Sequence, residues 1–74
     1  MEIEVRLFAT FREGRFKSRK IDLPGGSNVG DLLKKLNISK EETGILLLNG
    51  RHSKEDAKLN DDDTVAIFPA VGGG

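Results

Sequence analysis

Residues 27–39, SNVGDLLKKLNIS, have the pattern of a short amphipathic helix between stretches of a different periodicity. Ser27 or Asn28 can accept a hydrogen bond from an early helical N–H. Asp31 falls in the first turn, where the helix dipole favours a negative charge. The apolar residues recur along one stripe: Val29, Leu32, Leu33 and Leu36. The segment therefore predicts an amphipathic helix over residues 28–36 that covers a sheet.

The residues before this helix have the period of two that is typical of strands with one buried face. Within residues 2–9, one set of alternate side chains is apolar and is predicted to point into the core: Ile3, Val5, Leu7 and Ala9. Residues 11–15 predict a turn. A second strand is predicted over 16–23, and Pro24-Gly25-Gly26 marks its end.

The residues after the helix predict three more strands. A strand over 44–48 leads into Asn49-Gly50, a dipeptide favoured in type I′ hairpin turns, and then into a short return strand over 51–53. The last strand is predicted over 64–69. It ends at Pro69, which cannot donate a hydrogen bond to a neighbouring strand.

This order of elements favours an α+β fold, with a mixed four- to five-stranded sheet and one main helix packed across one face. It is the ubiquitin-like β-grasp arrangement, in which the first and last strands lie parallel at the centre of the sheet. We predict one β-grasp domain over residues 1–69 and a flexible tail over residues 70–74. The predicted inner face comprises Ile3, Val5, Leu7, Val65 and Ile67, with Leu46 and Leu48 beside them.

The composition excludes several classes of site. The chain has no cysteine, which removes disulfides, iron–sulfur clusters and a cysteine nucleophile. His52 follows a turn and is predicted to be solvated. Asp61, Asp62 and Asp63 lack the spacing of a calcium loop and are predicted to form a turn before the last strand. We therefore expect no metal site and no bound cofactor.

The charged residues balance in number but not in position. Residues 12–20 hold five Lys and Arg side chains against Glu13. This basic block carries one aromatic residue, Phe16, and lies in a predicted hairpin, so a solvated loop is favoured over a nucleic-acid site. The N-terminus lacks the features of a signal peptide, and no stretch is long enough to span a membrane. We expect a cytoplasmic location, where small domains without disulfides are more usual.

The tail, Ala70-Val71-Gly72-Gly73-Gly74, directly follows the last predicted strand. Glycines can enter a narrow groove and let a partner's backbone approach closely. The terminal carboxylate is ionised at neutral pH and is a poor electrophile, so it must be activated, for example as a mixed anhydride with AMP. A partner that holds ATP and Mg²⁺ could form this anhydride, and the tail would then be a substrate handle.

The sequence resembles the small, sulfur-carrying subunit of molybdopterin synthase, within the ubiquitin-like sulfur-carrier superfamily. The resemblance covers the whole chain and rests on residues 5–13 (VRLFATFRE), 29–33 (VGDLL), 48–51 (LNGR) and 68–74 (FPAVGGG). It implies that an E1-like enzyme adenylates Gly74, which is then converted to a thiocarboxylate. The sulfur would pass to a pterin precursor bound by the large synthase subunit. Gly73 would support passage of the tail, and the chain would be a carrier rather than an enzyme.

Three positions depart from the family pattern or vary within it. Ala70 stands where the family commonly has a second proline, which predicts a less stiff tail. Asp62 stands where a turn glycine is common, and aspartate can adopt a left-handed φ at some cost. Gly72 fills a variable position. None of these positions touches the terminal pair of glycines.

Two alternatives stay open beside this function. Carriers for thiamine synthesis or thiolation, and ubiquitin-like protein modifiers, use the same terminal chemistry; Phe68-Pro69 favours the molybdopterin pathway over thiamine. The second alternative is a non-covalent β-grasp binding module with an inert tail. Intact mass after incubation with ATP and an E1-like enzyme distinguishes that module from the carriers.

The strand alternation also places apolar side chains on the face opposite the helix. Such a face is usually polar where it meets water, so a cluster of apolar side chains predicts a docking surface. The predicted partner-binding residues are Phe8, Leu47, Ala66 and Phe68, with Pro69 and Val71 at the root of the tail. We expect the E1-like enzyme and the large synthase subunit to bind there in turn, each drawing the tail into its own active site.

Overall fold

The computed structural model describes residues 1–70, which form a mixed five-stranded sheet and one α-helix. The elements are β1 (Glu2–Leu7), β2 (Ser18–Asp22), α1 (Val29–Leu36), β3 (Thr43–Leu48), β4 (Arg51–His52) and β5 (Thr64–Pro69). The strand order is β2-β1-β5-β3-β4, with β1 and β5 parallel and the other neighbouring pairs antiparallel. This confirms the predicted β-grasp fold and its central parallel pair.

The register of the central strands sets the inner face of the sheet. Leu7 of β1 pairs with Ile67 of β5, and Leu46 of β3 pairs with the same Ile67. Because the three strands are in phase, their alternate apolar residues meet the helix in one core. Leu46 is buried and Leu48 half-buried. The fully buried strand residues are Ile3, Val5, Leu7, Val65 and Ile67, as predicted.

Helix α1 begins where it does because a reciprocal cap satisfies its first N–H groups. The Asp31 N–H donates to Asn28 Oδ1 at 2.8 Å, and the Asn28 N–H donates to Asp31 Oδ2 at 3.0 Å. Asn28 is therefore the N-cap, whereas the Ser27 hydroxyl donates to the Pro24 carbonyl at 2.7 Å. Asn37 follows the last turn in the left-handed conformation, at φ 58°. The buried helix residues are Val29, Leu32 and Leu33.

The first strand is shorter than the predicted 2–9. It ends at Leu7, because Ala9 adopts a positive φ of 52° and opens a 3₁₀ helix over Ala9–Arg12. The predicted inward orientation of Ala9 is wrong, since Ala9 is exposed and Phe11 takes the buried place at 3% exposure. Burial of an aromatic side chain favours this compact reversal over a longer strand.

The other strands differ from prediction only at their ends. β2 occupies Ser18–Asp22 within the predicted 16–23, β3 begins at Thr43, and β4 ends at His52. β5 has the predicted bounds. Turn residues and alternation therefore locate each strand, whereas its neighbours in the sheet decide where pairing stops.

Candidate partner-binding face

Phe8 and Phe68 lie against each other on the face of the sheet opposite α1. Their ring centroids are 4.1 Å apart and their planes are inclined by 7°, so the rings are stacked. The parallel pairing of Leu7 with Ile67 brings the two following residues side by side, and the Phe8 N–H donates to the Ile67 carbonyl at 3.2 Å. Each ring shields part of the other from water, and both are half-buried.

Residues of β3 and β5 extend this aromatic pair across the sheet. Leu47 pairs with Ala66, and Ile45 pairs with Phe68. Ile45 is 43% exposed, whereas Leu47 and Ala66 are half-buried. The structure thus brings together Phe8, Leu47, Ala66 and Phe68, the four residues of this face that were assigned to partner binding. It adds Ile45, which was not predicted although its spacing of two from Leu47 puts both on one face. The apolar patch is defined as Phe8, Ile45, Leu47, Ala66 and Phe68.

Positive charge borders the apolar patch on the side of β1 and β2. The Arg12 guanidinium lies 5.3 Å from the centroid of the Phe8 ring, and its Nε donates to the Leu7 carbonyl at 2.7 Å. Arg6 Nε contacts Glu4 Oε2 at 2.7 Å. A shallow cleft of about 300 Å³ is lined by Arg6, Phe8, Arg12, Lys17 and Ser18. This border suits a partner whose surface carries carboxylates around an apolar centre.

The last described residues leave the sheet beside the apolar patch. Pro69 is half-buried at the end of β5 and pairs with Thr43. Ala70 follows, and its N–H donates to the Glu42 carbonyl at 2.7 Å. Since Phe68 and Ala70 are two positions apart, the patch adjoins the root of the tail. The predicted site residues Val71, Gly72, Gly73 and Gly74 lie outside the described residues.

A hydrogen-bonded turn fixes the chain just before β3. The Ser39 hydroxyl donates to Glu42 Oε1 at 2.9 Å, and the Ser39 N–H donates to the same oxygen at 3.2 Å. The hydroxyl bond, followed by the backbone bond, lowers the pKa of Glu42 below its ordinary value. Because Glu42 also accepts from Ala70 through its carbonyl, this turn anchors the point where the tail begins.

The remaining polar residues singled out in the sequence either stabilise a turn or are exposed to solvent. Asp62 adopts the expected left-handed conformation at φ 70°, and Asp61 Oδ1 accepts from the Glu2 N–H at 2.7 Å, which confirms the predicted acidic turn. His52 is exposed on β4. Within residues 1–70, no three His, Asp or Glu side chains lie together as a metal site would require. None of the helices described in the chain is long and apolar enough to cross a membrane.

Comparisons with known proteins agree with this architecture. A model of the ThiS family matches residues 5–74. Molybdopterin converting factor subunit 1 from Pyrococcus furiosus is 30% identical, over 96% of this chain and 99% of that one, with a TM-score of 0.79. The HVO 2177 protein of Haloferax volcanii is 36% identical, over 100% of this chain and 87% of that one, with a TM-score of 0.80. SAMP1 from the same organism is 25% identical over 100% of both chains, with a TM-score of 0.78.

Proposed function

Since the chain belongs to the ThiS family of ubiquitin-like sulfur carriers, we propose that Gly74 carries sulfur as a C-terminal thiocarboxylate for molybdopterin synthesis. The Gly74 carboxylate attacks the α-phosphorus of ATP, pyrophosphate leaves, and an acyl-adenylate forms. A sulfide-level nucleophile supplied by the activating partner then displaces AMP. One carboxylate oxygen leaves with the AMP, and sulfur takes its place.

The observation that carries this proposal is the position of the apolar patch beside the root of the tail. Phe68 belongs to the patch, and Ala70 leaves the sheet two residues later. Four residues after Ala70 span at most about 13 Å. A partner docked on the patch could therefore draw Gly74 into its own active site. The partner would supply the catalytic groups, and this chain would supply only the docking surface and the tail.

The same placement serves two partners in turn. An E1-like enzyme holds ATP and Mg²⁺ and adenylates the tail, and the large subunit of molybdopterin synthase then uses the sulfur. Because both would occupy the apolar patch, they exclude each other, and the carrier must dissociate between the two steps. The carrier itself would hold no cofactor, since ATP and Mg²⁺ are bound by the activating partner.

The molybdopterin pathway is favoured by the Pyrococcus furiosus relative and by Phe68-Pro69 at the end of β5. A second candidate, a protein modifier, is favoured by the likeness to SAMP1, a small archaeal modifier protein. In that role the activated Gly74 would form an isopeptide bond with a lysine amine of a target protein. The two functions share docking and adenylation and differ in the nucleophile that takes the acyl group.

Deletion of Gly73 and Gly74 tests the shared step. We expect the full-length chain to support ATP–pyrophosphate exchange with the E1-like enzyme, and to gain about 16 Da at Gly74 once a sulfur donor is added. The shortened chain should support neither. Its thermal unfolding should be unchanged, because the buried core runs from Ile3 to Ile67.

An Ala70→Ser variant is the matched control, because Ala70 is exposed and the change keeps the length of the tail and its three glycines. Near-normal exchange is expected for this variant. Exchange by the shortened chain, or sulfur located by fragmentation at any residue other than Gly74, would contradict the proposal. Isopeptide-linked Gly74 on lysine, without sulfur transfer to a pterin, would favour the modifier.

A further inference from the structure

The pairing of β3 with β5 is irregular at the point where the tail begins. Thr43 pairs with Pro69 and Ile45 pairs with Phe68, so β3 advances two residues while β5 advances one. Gly44 is the extra residue of this β-bulge. A bulge bends the strand that contains it. Here the bulge lies between the apolar patch and the Thr43–Pro69 pair, after which the tail begins.

The backbone of β5 passes so close to Gly44 that a side chain would not fit. A Cβ at this position would lie 2.6 Å from the Pro69 carbonyl oxygen, 2.8 Å from Ala70 Cα and 3.0 Å from Ala70 N. All three are backbone atoms, which cannot swing aside as the end of a long side chain can. The φ of Gly44 lies outside the left-handed region, so glycine is required here for space and not for its torsion.

The hydrogen bond from the Ala70 N–H to the Glu42 carbonyl, 2.7 Å long, lies next to this contact. Gly44 lets Pro69 and Ala70 lie flat against the start of β3, and Glu42 holds them there. We infer that Gly44 is a positioning residue that sets the direction in which the C-terminal tail leaves the sheet. A Cβ at Gly44 would lift Pro69 and Ala70 from β3, lose the bond to Glu42 and turn the tail away.

This inference rests on the proposed function, because direction matters only if a partner draws Gly74 into an active site. The five residues of the apolar patch are unchanged in a Gly44→Ala variant, and the pairs Ile45–Phe68 and Leu47–Ala66 lie on the regular side of the bulge, so docking through the patch should be largely preserved even though Pro69 moves. A reacting group misplaced by about 1 Å can lose about a hundredfold in rate. We therefore expect the variant to lower kcat for adenylation by about tenfold to a hundredfold, with KM for the carrier changed by less than about threefold.

The test compares Gly44→Ala with Gly25→Ala, which makes the same chemical change where a Cβ meets nothing within 4 Å. Both full-length variants are first checked for cooperative unfolding. ATP–pyrophosphate exchange with the E1-like enzyme then gives kcat and KM. A fall in kcat confined to Gly44→Ala supports the inference, and a Gly44→Ala kcat within twofold of wild type overturns it. A residue needed only for stability would leave kcat unchanged well below the unfolding temperature.

Hydrogen exchange at the Ala70 amide gives a readout that does not depend on activity. In the wild type this amide should exchange slowly, because it is bonded to Glu42, and in folded Gly44→Ala it should lose that protection. Wild-type exchange at the rate of an unstructured peptide overturns the inference, even if Gly44→Ala does not fold. Absence of pyrophosphate exchange in the wild type would instead refute the proposed function, while the amide result still decides the role of Gly44.

Discussion

The two faces of β5 differ in what covers them. Val65 and Ile67 are fully buried in the core shared with α1, whereas Ala66 and Phe68 lie half-buried on the apolar patch. One alternating run of residues thus supplies both the core and the proposed docking surface. The comparison shows that an apolar residue in this strand serves stability or binding according to the face on which it lies, because alternate side chains point to opposite faces of the sheet.

The two faces should respond differently to the same kind of truncation. A fully buried aliphatic side chain stabilises the fold by about 1.5–3 kcal/mol through its burial. A stacked, half-buried phenylalanine contributes less in the free protein, but it becomes fully buried when a partner docks. Inner-face variants should therefore change the free energy of unfolding, and patch variants should change affinity.

The largest expected effect is that of Ile67→Ala on stability. Ile67 is fully buried between Leu7 and Leu46, so the truncation leaves a cavity and should cost about 2–5 kcal/mol of unfolding free energy. Urea unfolding monitored by circular dichroism measures it. Ile67→Val provides a graded variant with a cost of about 0.5–1.5 kcal/mol if Ile67→Ala is too unstable. The distinction between the two faces would be contradicted if the loss of unfolding free energy were below about 0.5 kcal/mol in Ile67→Val and below about 1 kcal/mol in Ile67→Ala.

The next effect is the loss of affinity in Phe68→Ala and Phe8→Ala. Buried interface aromatics can contribute more than about 2 kcal/mol on truncation, which is roughly thirtyfold in Kd. Calorimetric titration against the E1-like enzyme and the large synthase subunit should show this loss for both partners. Phe16→Ala is the matched control, because Phe16 is also half-buried beside an arginine, Arg19, but lies outside the patch.

Near-wild-type affinity in both patch variants would mean that the patch is misplaced, and recognition would have to come from the tail or the acidic turn. Equal losses in Phe16→Ala would indicate a general effect of removing an aromatic side chain. A loss confined to one partner would show that the two partners use different parts of the face, and that they need not exclude each other.

A smaller effect is expected from the charged border of the patch. Arg12 lies over Phe8, so Arg12→Gln should weaken binding by about 0.5–1 kcal/mol, a few-fold in Kd, and lower its dependence on salt. Arg15 lies 5.8 Å from the centroid of the buried Phe11 and not over a patch residue, so Arg15→Gln is the control. Affinity measured at two salt concentrations tests the difference. Equal losses of affinity in the two variants would show that binding depends on the net charge of the protein and not on the charged border of the patch.

Local patterns in the sequence were sufficient for most of the fold and part of the site. The bounds of β5 and the face on which Phe68 lies follow from alternation and from Pro69, and the start of the helix follows from local residue types, although these left the N-cap open between Ser27 and Asn28. These features depend on neighbours along the chain. The pairing of Phe8 with Phe68 needed one further step, the central parallel pair of the β-grasp fold.

The features that were missed depend on contacts between distant residues. Ala9 turns outward because Phe11 fills the core, and alternation alone could not choose between them. The need for glycine at position 44 arises from the backbone of Pro69 and Ala70, which lie 25 or more positions away. A register shift of this kind leaves no local pattern, so only the paired structure shows it.

The smallest expected effect lies at the edge where the two faces meet. The Ser39 hydroxyl and N–H lower the pKa of Glu42, so ionised Glu42 favours the folded state. This stabilisation is fully present above the ordinary glutamate pKa of about 4.3, and it is lost as the pH falls through the lowered value in the folded protein. Glu42 is exposed, so the effect should be small.

Ser39→Ala removes the hydroxyl bond and should raise the pKa of Glu42, which a carbon-detected NMR titration measures. Ser53→Ala, whose hydroxyl donates to the Lys54 carbonyl, should leave that pKa unchanged. The Ala70 bond uses the backbone oxygen of Glu42 and not its carboxylate, so Ala70 should stay protected from exchange while Glu42 titrates. If the Ala70 amide loses its protection over the same pH range in which Glu42 is protonated, the turn and the root of the tail open as one unit.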